Sequence, residues 1–148
     1  MSTRISAARV ASLVLGLGFT VFGLNGFLHF LPQPPLEGAA GALMGAFAAS
    51  AYMLPMVKGT ELVAGLLLLS NRHVPLALTL LAPVLVNIVL FHAVLAPEGT
   101  AVGLVFLALE LYLAWSYRGA FAPMLAARVE PSGGRAGARA ELGVGAAS

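Results

Sequence analysis

Four long stretches of the chain carry almost no charge, and they limit what it can fold into more than any other feature. Val10 to Leu31 has no formally charged residue and stops at Pro32, with Pro34 and Pro35 behind it. Ala51 to Ser70 stops at Asn71-Arg72, Val74 to Ala96 at Pro97-Glu98-Gly99, and Thr100 to Tyr117 at Arg118-Gly119. A bilayer core about 30 Å thick needs roughly 20 apolar helical residues at about 1.5 Å of rise each, and every stretch is near that length. None alternates apolar and polar residues with a period of two, which disfavours a barrel. The expectation is an all-α, integral membrane four-helix bundle within residues 1–125. A disordered cytoplasmic tail is expected over 126–148, where Gly, Ala and Arg dominate.

Composition agrees. Only 9% of the 148 residues are charged and 59% are hydrophobic, whereas an ordinary soluble domain is about 25% charged. Eight basic and six acidic residues cannot cover the surface such a domain leaves in water, so the chain must meet lipid. There is no cysteine, which excludes disulfides, thiolate metal sites and a dithiol relay run by this chain alone. The basic residues are spread over several flanks and form no stripe, so nucleic acid is not an expected partner. No nucleophile elbow, HExxH or phosphate loop occurs, and no Glu-x-x-His that would suggest a di-iron site.

The arginines set a topology. Arg4 and Arg9 precede the first stretch, Arg72 lies between the second and third, and Arg118, Arg128, Arg135 and Arg139 follow the fourth. The opposite links carry Glu37 and Glu98 and no Lys or Arg. By the positive-inside rule both termini are cytoplasmic. The first stretch is long for a secretory signal, and no convincing small-residue cleavage site follows it. Within the outer loop, Gly38 to Ser50 (GAAGALMGAFAAS) is too short to span and reads best as a loosely helical extension of the second span.

Seven polar residues interrupt the apolar spans: Asn25 and His29, Lys58 and Glu61, Asn87 and His92, and Glu110. Such groups inside lipid usually face a bundle interior or a water-filled cavity. At about 1.5 Å per residue, Asn25, His29, Asn87 and His92 lie roughly 20 to 28 Å from the cytoplasmic ends of their spans. Lys58, Glu61 and Glu110 lie roughly 10 to 15 Å below the outer ends of theirs. One polar pocket opening toward the non-cytoplasmic side would gather all seven. Asn25 and His29 share a face at i,i+4, as do Lys58 and Glu61 at i,i+3, where an ion pair would lower the cost of burying either charge. Glu110 has no opposite charge in its own span and must find Lys58, a histidine or a proton. Against the pocket stand plainer roles: histidines among headgroups, an ion pair that only holds helices together, and asparagines that serve helix packing. The glycines Gly16, Gly18, Gly23, Gly26, Gly65 and Gly103 read as close-contact sites between helices.

An internal echo accompanies these residues. Asn25-x3-His29-x2-Pro32 resembles Asn87-x4-His92-x4-Pro97, and Glu61 before Ser70-Asn71-Arg72 resembles Glu110 before Ser116-Tyr117-Arg118. A parallel duplication of a two-helix hairpin would produce it.

The runs GLGFTVFGLNGFLHFLP, YMLPMVKGTELVAGLLLLSNRHVPLAL and LLAPVLVNIVLFHAVLAP, followed by ELYLAWSYR, resemble the DoxX family of small four-helix bacterial membrane proteins. The similarity covers about residues 5 to 125. It implies a multi-pass protein of the bacterial inner membrane, in some relatives linked to quinone-dependent oxidation or to membrane oxidoreductase assemblies. Thiol-exchanging relatives use cysteines that this chain lacks.

Three functions follow as expectations. The first is a redox- or quinone-associated subunit whose pocket holds a small ligand through Lys58, Glu61, Asn87 and His92, with quinone the cofactor class; a haem between His29 and His92 is disfavoured. The second is a small-solute or proton transporter using Glu61 and Glu110, which with so few spans calls for a homo-oligomer. The third is a non-catalytic scaffold for a membrane oxidoreductase partner. No metal ligand set is expected.

Overall fold

The computed structural model describes residues 6–131. Its helices are α1 (Ala7–Leu28), α2 (Gly38–Ala49), α3 (Met53–Ser70), α4 (Val74–Leu95), α5 (Thr100–Ser116) and a single turn, α6 (Arg118–Phe121), with short 3-10 turns at Pro97–Gly99 and Ala122–Leu125. Among the described residues there is no strand. Four helical segments, corresponding to α1, α3, α4 and α5 with its preceding turn, are long and apolar enough to cross a membrane. The chain divides into two units, Met1–Arg118 and Gly119–Ser148. In the second, the Ala122–Leu125 turn closes with the Ala126 N–H on the Pro123 carbonyl, and residues from 132 onward, most of the expected tail, lie outside the described range.

Local chemistry sets each end. The Ser6 hydroxyl accepts the Arg9 N–H at 3.2 Å and starts α1 three residues before the expected Val10. Its other end comes earlier than Leu31. His29 adopts a left-handed conformation (φ 50°) and donates its N–H to the Asn25 carbonyl, while the Asn25 side chain accepts the Leu31 N–H at 2.7 Å. The segment Gly38 to Ser50 is no extension of the second span: α2 is a separate helix, broken from α3 at Ala51, where φ is 63°. Ser50 fixes that corner, donating its hydroxyl to the Phe47 carbonyl and accepting the Met53 N–H. Between α3 and α4 only Asn71, Arg72 and His73 intervene, with Asn71 and His73 both left-handed, and the chain reverses direction there. Pro75 enters α4 in the first turn, where its missing N–H would have no partner, and Pro97 ends the helix.

Consecutive helices α3, α4 and α5 pack against their neighbours, and α1 packs on both α3 and α5, most extensively on α3. That seam is made by glycine. A Cβ on Gly23 would stand 2.8 Å from the Leu62 backbone nitrogen, and one on Gly65 would stand 2.7 Å from that of Thr20, so the two backbones touch where side chains would hold them apart. Arg9 and Ser12 close the arginine end of the seam. The guanidinium donates to the carbonyls of Leu68 (3.1 Å) and Leu69 (2.8 Å), and the Ser12 hydroxyl to Leu68 (3.0 Å). These carbonyls belong to the last turn of α3, where the Leu68 carbonyl also accepts the Asn71 N–H at 3.1 Å and the side chains of α1 supply the further donors that a helix end lacks.

The polarity of the assembly is inverted relative to a soluble domain. Leu17, Leu90, Trp115 and Val94 point outward, the last 72% exposed, while Ser12, Asn25, Glu61 and Glu110 are buried among Leu15, Phe19, Leu81, Leu85 and Leu113. Water rewards the opposite arrangement.

Candidate functional site

Of the seven polar residues expected to share a pocket, the structure joins two directly. Lys58 Nζ donates to Glu61 Oε2 at 2.8 Å, one turn apart on α3. Glu61 is 1% exposed, and the Lys58 side chain is 25% exposed, so the carboxylate is sealed in while the ammonium looks outward. Gly26 of α1 makes this possible: a Cβ there would collide with the Lys58 stem, which lies against the glycine. After one bond to Glu61, the ammonium keeps two N–H donors free for a ligand oxygen.

The others are held by their own surroundings. Asn25 is buried and its oxygen caps Leu31. His29 is exposed, outside α1, and shaped by its role as the helix cap. His92 is half-buried with Nδ1 on the Ile88 carbonyl at 2.8 Å; a carbonyl can only accept, so Nδ1 is the donor in this contact. Gly99 packs against that ring, and Phe91 meets it edge-on at 5.4 Å. Asn87 is exposed on the outside of α4 and does not face the interior with Glu61. The phase of α4 explains this: Leu78, Leu81 and Leu85 take the buried stripe, and a residue two beyond Leu85 points elsewhere.

Glu110 is the second buried carboxyl, 5% exposed, and its Oε2 has no hydrogen-bond partner among the described residues. It lies at a different depth from Glu61. The register of the seam sets Leu62 against Gly23 and Lys58 against Gly26, placing Glu61 toward the end that carries Glu37 and Glu98. Phe106 of α5 covers Gly18 and meets Phe19 at 5.5 Å and Phe22 at 6.2 Å between ring centres, with the rings tilted. Glu110 follows Phe106 by one turn toward the arginine end, which sets its backbone roughly 10 Å deeper than that of Glu61. Among the described residues no hydrogen bond joins Glu110 to Lys58 or Glu61.

The internal echo is likewise unequal in placement: Asn25 is buried and Asn87 exposed, Glu61 is paired and Glu110 is not. Sequence reasoning missed three participants. Arg9 served only as a topology charge, although its fork binds α3. Thr20, whose buried hydroxyl oxygen lacks a partner, looks from its neighbours like any packing residue. A cavity of about 330 Å³ at the glutamate end, between Pro35–Ala40 and Leu95–Glu98, is bordered by both loop glutamates. Among the described residues no three His, Asp or Glu side chains gather as a metal set. Comparison of the chain with known protein families, curated proteins and solved structures returns no match.

Proposed function

We propose that the chain is a multi-pass membrane protein of the DoxX type, a four-helix bundle inserted with both termini in the cytoplasm, and that it serves as a quinone-associated redox subunit. The observation that carries the reading is the Lys58–Glu61 pair, a sealed carboxylate under a partly exposed ammonium. An apolar ring with carbonyl oxygens suits this site, since the bilayer delivers it and the free Lys58 N–H groups can donate to one carbonyl. A bound quinone would supply two-electron, two-proton redox chemistry. Lys58 orients the headgroup, Glu61 holds the ammonium in place and can hold a proton beside it, and the surrounding apolar helices exclude water. Asn87 and His92 take no part in this version of the site.

The test is mass spectrometry of the full chain purified in mild detergent. A quinone is expected to accompany the wild type and Asn87→Leu, and to be lost from Lys58→Met. A wild-type preparation without quinone or a comparable ligand would overturn the reading. The partnerless Glu110 supports a second one, a proton-handling role; Glu110→Gln is then expected to abolish proton uptake into proteoliposomes, and unchanged uptake would count against it.

A further inference from the structure

Asn87 carries chemistry that its position does not satisfy. It stands exposed roughly 20 Å along α4, within a stripe where Leu76, Leu90 and Val94 also face outward. Among the described residues its carboxamide makes no hydrogen bond, and it is the one exposed carboxamide on the four spans. The same stripe carries a break in the regular helical ladder. Thr79, Pro83 and Asn87 are all exposed and recur at four-residue steps on one face. Pro83 has no N–H to offer the Thr79 carbonyl four residues earlier, and the Thr79 hydroxyl is already committed to the Pro75 carbonyl at 2.9 Å. Lipid tails cannot satisfy the Asn87 carboxamide.

We propose that the outward face of α4 is the contact between two copies of this chain, joined by reciprocal hydrogen bonds between their Asn87 side chains. The proposal rests on the reading of the chain as a membrane protein. A second copy is the occupant that the chemistry selects. A twofold axis along the membrane normal lays α4 parallel to its copy and brings every residue to the depth of its own counterpart. A carboxamide has both donors and an acceptor, so Asn87 is complementary to itself and needs no other residue type opposite it. The flanking Leu90 and Val94 continue the same contact, and interhelical amide pairs of this kind drive association in bilayers.

The chain has no cysteine, so single introduced thiols report contacts without background. In membranes containing the full chain, Leu90→Cys and Val94→Cys are expected to form a disulfide-linked dimer on mild oxidation, whereas Leu66→Cys on α3 and Leu104→Cys on α5, also exposed, are not. Adding Asn87→Leu should weaken association in vesicles, read by energy transfer on dilution, by about tenfold, and Asn87→Gln should largely restore it. Equal cross-linking from all faces, association unchanged by Asn87→Leu, or adducts of Leu90→Cys with another membrane protein instead of the second copy would each overturn the proposal. Alkaline carbonate extraction separates this failure from that of the underlying reading: a chain released from the membrane overturns both, while one that stays embedded yet fails to cross-link overturns the interface alone.

Discussion

Lys58 and Glu61 depend on each other unequally. Replacing Lys58 by Met leaves a buried carboxylate without its cation, which for buried pairs costs about 3–5 kcal/mol; the part-exposed ammonium places this case at the low end. Lys58→Met should therefore unfold in detergent well before the wild type, and the double replacement Lys58→Met with Glu61→Gln should recover most of the loss. At a smaller scale, Asn25→Ala removes the acceptor of the Leu31 N–H and should destabilise the end of α1 by about 1 kcal/mol, seen as faster amide exchange at Leu31. The Lys58–Glu61 bond was legible in the sequence because its partners are one turn apart. The cap on Leu31 was not, since it depends on the left-handed turn at His29. Nor was the outward aim of Asn87. Both the interior and the exterior of α4 are apolar, so the sequence lacks the contrast between faces that reveals helical phase.

Among elements, the contact of α1 with α3 invites a test in which one substitution has opposite signs. Gly23→Ala puts a methyl 2.8 Å from the Leu62 backbone nitrogen, and overpacking of that kind costs about 1–3 kcal/mol. Gly59→Ala meets nothing within 4 Å and should stabilise α3 by about 0.5–1 kcal/mol, because glycine is the poorer helix former. Denaturation in micelles should move the two midpoints apart. The glycines were recognisable as contact sites because bulk is what they lack, but which helix each one meets was not, since four apolar helices can be paired in several ways. The break between α2 and α3 escaped notice for a similar reason: Ala51 is a residue that seldom adopts positive φ, and nothing about its type announces a corner.

For the molecule as a whole, the arrangement of charge predicts sidedness. Cysteines placed at Glu37 and Glu98 should react with an impermeant maleimide added outside cells, and cysteines at Arg72 and Arg118 should react only after the membrane is opened. The four spans and their order were readable from length and hydropathy alone, to within three residues at each end. The separation of Glu61 from Glu110 was not, because depth counted along each helix ignores how neighbouring helices slide past one another. The pairing of α1 with α3 also has a consequence in time. Roughly 40 residues separate the end of α1 from the end of α3, which at synthesis rates of about 5–20 residues per second takes about 2–8 s. Through that interval the glycine face of α1, Arg9 and Ser12 wait without the carbonyls they will bind, so the emerging chain must keep its first helix unassembled until its third arrives.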